Sequence, residues 1–170
     1  KDILKHTLVV YGTRDEAFVY YQNECDDLAK KHGFTTQYCV NKQQFFDVVK
    51  EVAPQLLVID THGNYDEKSH QSYLLMGDER IYPQDIIEHH IQVPLVFLSA
   101  CNTAPTYNMV NTLANGFVQS GSLAVTSSYL PLDVSESSTV YLRLLEQLSV
   151  ASSQSIHKNW LAFISHILRS

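Results

Sequence analysis

The chain has 170 residues, 45% of them hydrophobic, and a formal net charge of -6, which suits one domain with a single sizeable core that needs no staples. Lys and Arg are scattered rather than gathered into a stripe, which excludes the phosphate-binding surface of a nucleic-acid protein. No run approaches the roughly 18 consecutive apolar residues that span a bilayer, and no signal-peptide pattern opens the chain, so a soluble protein with no membrane partner is expected.

Three cysteines, Cys25, Cys39 and Cys101, cannot all pair with one another, and their number fits a reducing, cytoplasmic location. The chain opens on Lys1 and its last helical pattern runs to Ser170. We read it as a single domain over residues 1–170 and expect it to be a fragment of a longer protein.

Thr7-Leu8-Val9-Val10-Tyr11 is a short β-branched run ended by Gly12, and residues 17–31 follow with helical spacing at Phe18, Tyr21, Cys25 and Leu28, stopped at Gly33. Residues 34–40 alternate as a strand does, and residues 42–52 carry Phe45, Phe46, Val48 and Val49 on one helical face until Pro54. Leu56-Leu57-Val58-Ile59 is apolar at successive positions, which suits a central parallel strand covered on both faces, and it stops at Asp60-Thr61-His62-Gly63. Residues 64–72 are polar and unpatterned, and they are expected to form a lid beside His62 or a disordered stretch; residues 73–76 and 81–82 flank Gly77-Asp78-Glu79 as a hairpin would. Pro83 opens a helix over residues 84–90, and Pro94 precedes Leu95-Val96-Phe97-Leu98, a second fully apolar strand that ends at Ser99-Ala100-Cys101. A helix over 110–119, a strand over 123–127 and helices near 136–148 and 156–168 complete the series.

Strands alternating with crossover helices imply an α/β fold: a mostly parallel central sheet, helices on both faces and a small β-hairpin excursion. In such sheets sites form at the carboxyl ends of strands. His62 and Cys101 both lie just past the carboxyl ends of the two most apolar strands, flanked by the small residues Thr61, Gly63, Ser99 and Ala100. A cysteine nucleophile needs a base for its proton, an acid for the leaving amine and donors for the oxyanion. His62 can serve as acid and base, and the N–H groups of Gly63 and Cys101 are the candidate oxyanion donors. Singly, a cysteine after an apolar strand is more often an inert filler and a lone histidine more often structural; it is their joint placement that points to catalysis.

Apolar strand-Thr61-His62-Gly63 followed by apolar strand-Ser99-Ala100-Cys101-Asn102-Thr103 resembles the caspase, legumain and separase group of cysteine peptidases, and most closely the CHAT domain, over about residues 56–148. The resemblance implies a caspase-like three-layer sandwich, His62 as general acid/base, Cys101 as nucleophile and Gly63 as an oxyanion contributor. It also implies a protein or peptide substrate, control by a regulatory domain or partner outside this segment, and a place in prokaryotic defence or programmed cell death. A caspase proper carries Gln before and Gly after the Ala-Cys core; Ser99 and Thr103 stand there instead. The aromatic and acidic residues usual after the next strand correspond to Tyr129 and Asp133, with Tyr in place of Trp.

Asp133, with Asp60 as a second candidate, would favour Lys or Arg before the cut bond if it lined the substrate pocket. The alternatives are that Asp133 caps the helix near Glu136, that Asp60 lies in the polar end of a strand, and that the pocket takes Leu or Met. His89, His90, His157 and His166 show no ligand spacing, so no metal or other cofactor is expected and these side chains read as solvated. Cys25 and Cys39 read as core fillers. Two other functions remain open: a non-catalytic interaction or scaffold domain that keeps this fold, and a flavodoxin-like binding module, for which only Asp15, Glu16 and Asp60 are acidic residues at strand ends.

Overall fold

The computed structural model describes residues 3–100, 113–127 and 134–150. Its centre is a five-stranded, wholly parallel sheet in the order β2-β1-β3-β7-β8, built from β1 (Thr7–Tyr11), β2 (Thr35–Tyr38), β3 (Leu56–Asp60), β7 (Leu95–Ser99) and β8 (Ala124–Ser127). The two strands read as doubly covered, β3 and β7, are direct neighbours, and with β1 they are buried at every position. β2 forms an edge and alternates between exposed and half-buried residues, which is why its four residues carry so much Thr and Gln.

Period-2 alternation divides each inner strand between two cores. Val9, Tyr11, Leu56, Val58, Leu95 and Phe97 face one layer, made by α1 (Glu16–His32) and α5 (Val134–Val150). Leu8, Val10, Leu57, Ile59, Val96 and Leu98 face α2 (Lys42–Val52), α3 (Pro83–Glu88) and α4 (Leu113–Gln119). This is the three-layer sandwich expected from the sequence. Each fully buried Leu, Ile or Phe in these layers contributes about 1.5–3 kcal/mol relative to exposure, so the sheet interior is the rigid part from which the rim loops project.

Helix ends follow local chemistry. Asn41 caps α2 by accepting a hydrogen bond from Gln44 N–H at 2.8 Å, and Pro83 occupies the first turn of α3. α3 ends at Glu88, two residues earlier than expected, and His89 stacks flat on Phe46 with ring centroids 3.7 Å apart. His89 is therefore packed, not solvated. The expected helix over 156–168 lies outside the described residues.

The hairpin is larger than the sequence suggested. β4 (Gly63–Asp66), β5 (Gln71–Met76) and β6 (Glu79–Ile81) form a separate antiparallel sheet in the order β4-β5-β6. Residues 64–66 and 71–72, expected within a lid, are strand residues hydrogen-bonded in a ladder, so the stretch is a folded hairpin closed by a short turn. Its inward side chains Leu74, Met76 and Ile81 are fully buried in the second core.

Two glycines let this small sheet lie flat on the rim of the large one. At Gly12 a Cβ would stand 2.3 Å from both Leu75 O and Thr61 Oγ1, and at Gly77, which has φ +60°, it would stand 2.2 Å from Val40 O. The two glycines bond directly, Gly77 N–H to Gly12 O at 2.8 Å. Gly12→Ala is expected to lower unfolding stability by about 2 kcal/mol or more through overpacking against backbone, measured by denaturant titration. A change below 0.5 kcal/mol would contradict the close approach.

Candidate active site

Because β1, β3 and β7 are adjacent and parallel, their carboxyl ends share one rim. Asp60 at the end of β3 lies opposite Ser99 at the end of β7, and Thr61 N–H donates to Ser99 O at 3.3 Å. His62 follows Asp60 by two positions and Cys101 follows Ser99 by two. Cys101 and Asp133 lie outside the described residues.

The backbone at His62 is fixed from both sides. Its carbonyl accepts from Leu75 N–H at 3.0 Å, and the preceding Thr61 Oγ1 donates to Leu75 O at 2.7 Å. Since residues 62 and 75 form the hydrogen-bonded pair, Gly63, opposite Leu74, sits at a non-hydrogen-bonded position and turns its N–H away from β5.

The imidazole is held by the first turn of α1. His62 Nε2 is 2.5 Å from Asp15 Oδ2, and the edge of its ring meets Phe18 at 4.8 Å between centroids with an interplanar angle of 74°. The side chains of His62 and Asp15 are 43% and 64% exposed, so this pair stands open at the rim. The hydrogen bond from His62 holds the Asp15 carboxyl below its ordinary range. Sequence reasoning noted Asp15 only as an acidic residue at a strand end and Phe18 only as part of an apolar helix face; their meeting with His62 depends on β1 and β3 being neighbours.

Asp60 has a different place from the one expected of a substrate-binding carboxylate. It is 0% exposed and shares the face of β3 that carries Leu56 and Val58, so it points into the layer of α1 and α5. Ser99 Oγ donates to its Oδ1 at 3.3 Å, while Oδ2 has no hydrogen-bond partner. The hydroxyls of Tyr141 and Ser138 lie close enough to favour its charge, yet neither makes a hydrogen bond of normal geometry. Burial therefore wins and pushes the Asp60 carboxyl up to about 7. This burial sets Asp60 apart from the open position expected of a substrate-binding carboxylate.

The other two cysteines are inert by the same physics. Cys25 and Cys39 are both 0% exposed, and burial pushes each thiol up to about 12. Among the described residues no group of three His, Cys, Asp or Glu side chains could hold a metal, and no helix is long and apolar enough to cross a membrane.

The state of Asp60 has a measurable consequence. In the unfolded chain it ionises near its ordinary value of 3.8, whereas in the folded protein it stays protonated up to about 7. The folded state binds the extra proton between those limits, so its stability falls as pH rises through that window, by up to about 4 kcal/mol from this group. Asp60→Asn is expected to remove this dependence, so that the variant gains stability over wild type progressively between pH 4 and 8. Thermal unfolding across that range measures it, and a variant-to-wild-type difference independent of pH would contradict it.

No curated protein shows a significant match to the chain. A family profile described as the CHAT domain matches residues 18–157, a span that begins in α1 and includes every strand after β1. The matched span, the parallel sheet and the small antiparallel sheet agree, and the chain belongs to the CHAT domain family, which is related to the caspase-like cysteine peptidases.

Proposed function

We propose that the domain is a cysteine endopeptidase in which Cys101 is the nucleophile and His62 the acid/base. The observation that carries this reading is the direct pairing of β3 with β7, Asp60 opposite Ser99, because it gives the two chain segments leading to His62 and Cys101 a common rim. His62 would take the Cys101 proton, and the thiolate would attack the scissile carbonyl. The N–H groups of Gly63 and Cys101 would receive the oxyanion, and the outward turn of the Gly63 N–H supports its part. Collapse of the tetrahedral intermediate would pass the His62 proton to the leaving amine and leave a thioester, which water then hydrolyses to restore the thiol.

With Asp60 buried, Asp133 remains the candidate for a pocket that prefers Lys or Arg before the cut bond. Family membership further supports a protein substrate in a cytoplasmic setting, control by a sensor or helical-repeat region outside this segment, and a part in prokaryotic defence. Burial of the other two thiols makes the chemistry testable. A peptide carrying a thiol-reactive warhead is expected to modify Cys101, located by mass spectrometry, and the His62→Ala protein is expected to react about 10²–10⁴-fold more slowly. Preferential modification of Cys25 or Cys39, or equal rates with and without His62, would contradict the proposal and favour a non-catalytic interaction domain.

A further inference from the structure

We infer that Asp15 is the positioning residue for the acid/base histidine, fixing the His62 ring so that Nε2 carries the proton and Nδ1 is the nitrogen that exchanges protons with the thiol. The inference rests on the Cys101/His62 reading and adds a third member to it.

Asp15 does not cap its own helix. It occupies the N-cap position of α1, where Asp normally accepts a hydrogen bond from the backbone of the first helical turn, yet its side chain makes no cap hydrogen bond. The turn is organised without it: Asp15 O accepts from Phe18 N–H at 2.9 Å, and Asp15 N–H donates to Thr13 Oγ1 at 3.1 Å. Nor does the neighbouring Arg14 neutralise the carboxylate. Its guanidinium lies over the rings of Tyr11 and Tyr38, 5.5 and 4.8 Å from their centroids, and donates to Gln22 Oε1 at 2.9 Å. Apart from a lesser contact with the neighbouring Thr13 hydroxyl, the carboxylate is engaged by a residue 47 positions away in sequence.

Chemistry then fixes the proton. An ionised carboxylate can only accept, so the nitrogen facing it must donate. With Nε2–H committed to Asp15, a neutral imidazole has its lone pair on Nδ1. Phe18, 3% exposed, packs edge to face against the same ring and restricts its rotation. One turn of α1 therefore supplies both the hydrogen-bond acceptor and an apolar wall. A hydrogen bond this open adds little to stability. What it can add is orientation, and charge complementary to the imidazolium formed after the thiol loses its proton.

Three variants, Asp15→Asn, Asp15→Glu and His62→Ala, are compared with wild type by their inactivation kinetics with the peptide warhead and their thermal unfolding. Imidazole 15N shifts of His62 are recorded in wild type and in the Asp15 variants. In wild type at a pH where the ring is neutral, the Nε2–H tautomer is expected. Asp15→Asn is expected to lower the maximal inactivation rate about 10–100-fold, leave apparent warhead affinity within about twofold and shift the tautomer population. Melting should be unchanged, because no cap bond is lost. Asp15→Glu should restore part of the rate.

An Asp15→Asn protein with the wild-type maximal rate, or a wild-type ring in the Nδ1–H form, would overturn the inference. If His62→Ala itself reacts at the wild-type rate, the peptidase reading fails. The tautomer of the wild-type ring separates the two cases, since it reports the Asp15 bond whether or not Cys101 is a nucleophile.

Discussion

The pairing of β3 with β7 is the constraint on which the rest of the site depends. Both strands are buried at all five positions, with Leu56, Leu57, Val58 and Ile59 laid against Leu95, Val96, Phe97 and Leu98 in register. A slip of one residue would exchange the two faces of a strand between the α1/α5 core and the α2/α3/α4 core. It would also carry Asp60 from beside Ser99 into the opposite, apolar layer. The register is thus locked by packing on two sides, and the relative height of the chain leaving each strand is set before any rim residue makes a contact.

Three structures converge on His62 from that base. The main sheet brings its chain up beside β7, the small sheet holds its carbonyl through Leu75, and α1 holds its ring through Asp15 and Phe18. Gly12 is where the first two meet, because only a residue without a side chain admits Leu75 O and Thr61 Oγ1 so near the end of β1. Beneath the rim lies a buried polar group of a different kind. Ser99 with Asp60 joins the ends of β7 and β3, and Tyr11 with Gln22 and Asp26 ties the end of β1 to α1 from the inside. The polar residues of this sheet end therefore divide by face, His62 and Asp15 outward to solvent and Asp60 inward to the helices.

Much of this fold was legible because its signals are local. Two uninterrupted apolar tetrapeptides marked the central strands, and Gly12, Gly33 and Pro83 marked ends and starts that the structure keeps within a residue or two. Three things were not legible, each because it depends on contacts distant in sequence. Asp60 reads as a polar strand end, and only the packing of α5 against β7 reveals that it is covered. The pairing of Asp15 with His62 requires knowing that β1 lies beside β3. Residues 64–72 look unpatterned because β4 and β5 belong to a two-sided small sheet whose buried residues, Ser72 among them, include polar ones; Ser72 Oγ accepts from Leu113 N–H at 3.0 Å.

The central claim is that an imidazole and a thiol share one rim of the sheet within reach of a single carbonyl. The most direct measurement is an experimental structure of the domain with a peptide aldehyde or ketone joined covalently to Cys101. The account requires a ring nitrogen of His62 at about 2.6–3.2 Å from the adduct, directly or through one water, with the adduct oxygen facing Gly63 N–H. An adduct on the opposite side of the sheet from His62, or a ring turned away from it, would contradict the account.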